Sequence, residues 1–126
     1  MFGWGSKKDT GDAGEALALA HLQRQGLTLV ERNYRVGGGP RRPAGEIDLI
    51  LRDRDGTLVF VEVRARRVGL HGGAAATVNA TKQRRLVRAA QTYLSRFATL
   101  PHCRFDVVAI DGDQLQWIQG AFEGGG

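Results

Sequence analysis

Two short apolar segments, GEIDLI at residues 45–50 and LVFVEV at 58–63, carry carboxylates among core-type residues: Asp48 in the first and Glu62 in the second. Acids so placed are costly unless they are paired, protonated or bound to a cation. A third acid has a similar setting. In TGDAGEALALAHLQRQ, residues 10–25, Glu15 sits in the middle of the helical stripe formed by Ala18, Leu19 and Leu22. Oxygen donors of this kind suit a hard divalent cation, Mg²⁺ or Mn²⁺, better than zinc.

Register decides whether the two hairpin acids meet. A two-residue loop at Asp55-Gly56 would set Glu62 against Leu49 and Asp48 against Val63, mixing charge with core. A three-residue loop, Arg54-Asp55-Gly56, with Gly56 in the left-handed position, gives one apolar face of Ile47/Val63, Leu49/Val61 and Leu51/Val59. The other face then reads Glu46/Arg64, Asp48/Glu62, Ile50/Phe60 and Arg52/Leu58. Because a buried face fixes register, the second loop is expected. Asp48 and Glu62 are then directly opposed, with Cβ atoms about 4.5–5.5 Å apart, where like charges repel. A shared proton, the Arg64 guanidinium or a divalent metal could offset that repulsion. Glu46 is expected to pair with Arg64.

The elements that must hold these residues are legible around them. A helix over 10–25 has Thr10 as its N-cap candidate and Gly26 as its C-terminal cap. A strand follows at 27–35, then a basic Gly/Pro loop at 36–45 that contains Arg41 and Arg42, then the hairpin strands 46–53 and 57–64. A Gly-rich connection at 65–76 leads into a long helix at about 79–97, with Leu86, Ala89, Ala90, Tyr93, Leu94 and Phe97 as its buried stripe. The apolar run RFDVVAI, 104–110, reads as a central strand, and QLQWIQ as a last one. Strand, long helix, strand implies a right-handed crossover to a parallel neighbour. The expected fold is therefore α/β: a mixed sheet flanked by helices in the order αβββαβ, with an extra C-terminal strand. Residues 1–9 and 123–126 read as tails around a single domain at 10–122.

The chain has 126 residues, of which 18 are Lys or Arg and 13 Asp or Glu, for a net charge of +5. From Arg64 to Arg104 there are nine basic residues and no acid. Arg66, Arg67, Lys82, Arg84, Arg85 and Arg88 lie in that block, which points to a nucleic-acid partner. One cysteine, Cys103, and the scattered His21, His71 and His102 exclude an internal disulfide and a thiolate or imidazole zinc site. No apolar run is long enough for a membrane span and the N-terminus has no secretory pattern, so a cytoplasmic protein with no membrane partner is expected. Asp106 reads as a structural acid paired with an arginine across the sheet. Trp4, Trp117 and Phe122 are the aromatics that a protein-binding adaptor would use.

The motifs GDAGEALALAHLQRQG, ERNYR, GEIDLI, FVEVRAR, Lys82-Gln83 and CRFDVVAI occur in the order found in the bacterial YraN family, which this chain resembles over nearly its whole length. That family resembles the PD-(D/E)XK nuclease superfamily, which includes restriction enzymes and archaeal Holliday-junction resolvases. The resemblance implies a metal-dependent endonuclease acting on DNA, with Asp48 and Glu62 as catalytic metal ligands, Glu15 as a further ligand and a main-chain carbonyl near Val63 completing the set. One position departs from the pattern. The superfamily's lysine is Arg64 here, and arginine effectively cannot lose its proton. Arg64 can hold a phosphate or stabilise charge, and Lys82, on the extended buried stripe of its helix, is the candidate substitute. A nuclease-like protein that binds DNA without cutting it is the competing expectation. Symmetric cutting of a junction would require a two-fold homodimer.

Overall fold

A computed structural model of the chain describes residues 7–38, 44–66 and 75–123. Helix α1 spans Lys7–Arg24. It stops where Gly26, at φ 100°, reverses the chain and the Leu27 N–H reaches back to the Leu22 carbonyl at 3.1 Å, as the cap at Gly26 predicts. The start differs from expectation, because Thr10 lies inside the helix rather than capping it.

The strands are β1 (Thr28–Val36), β2 (Gly45–Arg52), β3 (Leu58–Arg66), β4 (Cys103–Asp111) and β5 (Gln114–Phe122), in the spatial order β1-β2-β3-β4-β5. All neighbours are antiparallel except β3 and β4, which run parallel. Their crossover carries a 3₁₀ turn at Ala75–Thr77 and helix α2, Ala80–Leu94. Asn79 caps α2 by accepting the Lys82 N–H. The helix ends three residues before the expected Phe97, which still packs against the cluster beneath it. The architecture is the αβββαβ order with an added C-terminal strand, consistent with a restriction-endonuclease-like core.

Each helix covers one face of the sheet. Ala18 and Leu22 of α1 close over Leu49, Val59, Val61 and Val108; Leu86, Ala89 and Tyr93 of α2 close over Ile50, Leu58, Phe60 and Phe105. The hairpin keeps the three-residue loop, with Gly56 at φ 92° and the pairs Leu49/Val61, Ile50/Phe60, Leu51/Val59 and Arg52/Leu58.

Beyond Leu49/Val61 the ladder stops, and the expected pairs Asp48/Glu62, Ile47/Val63 and Glu46/Arg64 do not form. Two observations explain the correction. The β1–β2 ladder steps from Arg32/Leu49 to Tyr34/Ile47, with Asn33 between them at φ 51°. Across that kink the alternation reverses, so Leu49 joins the α1 core while Ile47 joins the α2 core. β2 therefore turns away from β3 at Asp48, and the two strands form a fork.

Two glycines admit the helices to the fork. A Cβ on Gly14 would lie 2.8 Å from the Ala65 Cβ; one on Gly45 would lie 2.6 Å from the Val36 side chain and 3.0 Å from main-chain atoms of Arg85 and Ala89. Each is followed by a glutamate, Glu15 and Glu46, so close packing sets down a carboxylate one residue away.

Asp106, fully buried, accepts from Arg104 Nε at 3.1 Å, Trp117 Nε1 at 2.9 Å and the Gly120 N–H at 3.0 Å. Its arginine comes from two residues back on the same strand rather than from across the sheet. Arg104 continues to Asp53 at 2.9 Å, tying β4 to the end of β2. Trp117, edge-on to His21, and Phe122, stacked on Phe105, are occupied in packing; Trp4 lies outside the described residues.

Gly45→Ala should destabilise the protein by about 1–3 kcal/mol through overpacking. Asp106→Ala should cost about 3–5 kcal/mol, since it leaves the Arg104 Nε, the Trp117 indole N–H and the Gly120 N–H without their acceptor, Asp53 retaining only the Arg104 Nη1. Urea unfolding followed by circular dichroism checks both.

A candidate functional site at the strand fork

Where β2 leaves β3, a main-chain donor of β3 loses its ladder partner. Asp48 replaces that partner: its Oδ2 accepts the Val63 N–H at 2.8 Å. Glu62, the residue before Val63, projects into the same fork, and each acid is 8 % exposed. Burial is the main influence on both. Desolvation raises the Asp48 carboxyl to about 7 against the lowering pull of the Val63 N–H, and the charges of Glu15 and Glu46 push it the same way as burial. Desolvation and then the Asp48 charge raise Glu62 to about 8, opposed by Arg64 and Lys82. Burial also raises Glu15, which is half-buried on α1, opposed first by Arg32. Near neutral pH, with no cation bound, the hairpin acids retain a proton between them.

The cations nearby compensate only partly. Arg64 Nη1 stands 3.9 Å from Glu62 Oε1, a loose pair, while its Nε donates to Thr77 Oγ1 at 2.8 Å. Lys82 and Arg85 of α2 line a pocket of about 20 Å³ with Glu46 and Glu62. That is room for about one water molecule or a small ion. Among the described residues, no three His, Cys, Asp or Glu side chains converge to form a metal cluster. The fork itself offers two carboxylates, which fits a cation such as Mg²⁺, usually held by one or two carboxylates with water and phosphate oxygens in its other positions.

The structure thus brings together Asp48, Glu62, Arg64 and Lys82, with Val63 bonded to Asp48 and Glu15 within electrostatic reach of it. Glu46 takes a different partner from the one expected, pairing with Arg35 at 3.4 Å on an exposed edge, where such a pair adds little stability. Its place in the pocket and its effect on Glu15, Asp48 and Glu62 were missed by reading it only as a partner for Arg64; the repeated Gly-Glu step at 14–15 and 45–46 is the signal that could have found it. Thr77 carried no such signal. Of the other basic residues, Arg84 and Arg88 line a separate groove on α2, Arg66 is half-buried at the end of β3, and Arg41, Arg42 and Arg67 lie outside the described residues. No helix among the described residues is long and apolar enough to cross a membrane.

The raised carboxyls fix a sign for stability against pH. Between about pH 4 and pH 8 the folded chain holds more protons than the unfolded chain, so stability falls as pH rises through that window and levels off above it. Thermal unfolding at pH 5 and pH 8 should show the fall, and Asp48→Asn or Glu62→Gln should flatten it and raise the midpoint at pH 8. Mg²⁺ or Mn²⁺ should raise the wild-type midpoint at pH 8 more than at pH 5, where protons compete for the same oxygens.

The profile of the uncharacterised protein family UPF0102 matches residues 14–110, a span from Gly14 of α1 to Ile110 of β4. A UPF0102 protein of Methylibium petroleiphilum is 66 % identical over 116 residues, covering 92 % of this chain and 95 % of the relative. One of an Acidovorax species is 61 % identical over 113 residues, covering 90 % and 83 %, and one of Cupriavidus taiwanensis is 54 % identical over 118, covering 94 % and 86 %. With a match across most of its length and relatives of similar size, the chain belongs to UPF0102, the YraN family.

Proposed function

We propose that this protein is a metal-dependent phosphodiesterase that hydrolyses DNA, with branched or otherwise structured DNA as its substrate. The observation that carries the reading is the pair of buried carboxylates, Asp48 and Glu62, held in one fork beside three cationic side chains and unfavourable there as two anions. A divalent cation bound by these two acids, with the main-chain carbonyl near Val63 and Glu15 as further donors, would supply charge neutralisation and a more acidic water.

The chain's own groups then divide the remaining work. The Val63 N–H fixes the rotamer of Asp48, so the oxygen it leaves free is aimed before substrate arrives. Arg64, braced on Thr77, serves as an electrostatic clamp for a phosphate oxygen. Lys82 reaches the same pocket from the first turn of α2 and can bind the phosphate from its other side. Arg85 extends that positive wall, and the pocket is too small to admit more than water or an ion, so the DNA backbone lies across its mouth.

Incubation of nicked and four-way-branched duplexes with Mg²⁺ or Mn²⁺ should give cleavage that falls about 100-fold or more in Asp48→Ala and Glu62→Ala, with Lys82→Ala also impaired. Intact substrate with the wild-type protein in both metals, or cuts unchanged by the acidic substitutions, overturns the proposal. The anchoring of Arg64 on Thr77 favours a second reading, a binding module on the same fold. It predicts salt-sensitive DNA affinity that does not fall in the two acidic variants.

A further inference from the structure

On the outer flank of α2, away from the fork, Ala80, Gln83, Arg84, Val87, Arg88 and Gln91 line an open groove of about 400 Å³ that Glu123, just beyond β5, borders. Its size lies within the about 300–1,000 Å³ usual for small-ligand sites, whereas the fork pocket holds little more than one water. The two sets of cations on α2 are distinct: Lys82 and Arg85 look into the fork, while Arg84 and Arg88, one helical turn apart, look into the groove. Arg84 is steadied by Thr81 at 3.2 Å, and Gln83 by the Val78 carbonyl at 3.2 Å. Arg88 is different: its Nε is buried and has no hydrogen-bond partner. That nitrogen is shielded from the groove, but with no acceptor for the guanidinium among the described residues the half-buried Arg88 side chain keeps its positive charge on the groove lining, where the natural complement is an oxyanion.

We propose that this groove binds one nucleotide of the DNA strand flanking the fork. The phosphate sits on Arg84 and Arg88, and the base lies over Val87 with its polar edge toward Gln91 and Glu123. The charges orient the nucleotide. Glu123 makes no ion pair with either arginine among the described residues, so the groove lining carries two cations and a separate carboxylate. A phosphate is drawn to the arginines and repelled by Glu123, beside which an amino group on a base edge finds an acceptor. The fork and the groove lie on different flanks of a helix about 10–12 Å across, which is about three nucleotides at the 3.4 Å rise of a DNA strand. The inference rests on the reading of the fork as a DNA site, and it makes α2 the ridge over which the strand passes.

The test is the affinity of a fluorescein-labelled nicked duplex for the intact protein across a salt series, read by anisotropy, with a deoxycytidine 5′-monophosphate titration following the Arg Nε–H resonances by NMR. Arg84→Ala/Arg88→Ala should weaken the duplex about tenfold and reduce the salt slope by about one, Arg84→Lys/Arg88→Lys should restore the slope, and the mononucleotide should shift the Arg88 Nε–H signal. An unchanged slope, or an Arg88 signal indifferent to the mononucleotide, overturns the groove assignment. Equal binding of a base-free deoxyribose-phosphate oligomer, or equal competition by an acidic peptide of the same charge, overturns the nucleotide reading in favour of a general polyanion surface. The outcomes separate from those of the fork. Affinity that depends on Lys82 and Arg85 but not on Arg84 and Arg88 removes the groove alone, and an intact groove effect with no cleavage removes the hydrolytic reading alone.

Discussion

The hydrogen bond from the Val63 N–H to Asp48 is the contact on which the rest of the site depends. A β-sheet can open between two strands only if the donors it uncovers find other acceptors. Here a side-chain carboxylate does what a neighbouring carbonyl would have done. Without it, opening the strands would strand a buried amide; with it, β2 is free to bend, and Glu62 gains a space that a continuous ladder would have filled. The acid is thus structural and chemical at once. One oxygen is committed to the main chain and the other is available.

The electrostatic character of the fork follows from that geometry. Two carboxylates are removed from water before anything compensates them, and the nearest guanidinium is held at 3.9 Å by its own commitment to Thr77. The arrangement resists collapse into a simple ion pair and retains an affinity for positive charge from outside. Gly14 and Gly45 allow it at the level of packing, because each lets a helix approach closely enough for the next residue to carry negative charge to the fork. α1 and α2 therefore act as more than covers for the two faces of the sheet.

Much of this was legible in the sequence, and what escaped it has physical causes. Element order, the parallel crossover, the three-residue hairpin loop and the separation of two apolar faces all follow from periodicity and turn chemistry, which are local. The hairpin pattern also singled out Asp48 and Glu62. It placed them in a continuous ladder because strict alternation was extended past Leu49, whereas the kink at Asn33 lies on another strand and cancels the alternation from there. Asn33 looks like any polar strand residue until its φ is known. In the same way, Thr10 has a capping side chain yet helix α1 extends past it, and Phe97 keeps its helical-face spacing yet lies outside α2. Long-range partners such as Thr77 for Arg64, or Arg35 for Glu46, leave no periodic trace.

The kink in β1 has a further effect, on the outside of the molecule. β1 and β5 are the two margins of the sheet, and an outermost strand with a regular backbone invites another chain to add to it. β1 shifts its pairing register between Leu29 and Glu31 and takes a positive φ at Asn33, and it carries Arg32 and Arg35 along that border. β5 shifts register near Gly120, where Asp106 has already taken the main-chain N–H. Both margins are thus interrupted in their pairing register, and interruptions of this kind discourage fibrillar stacking through sheet extension.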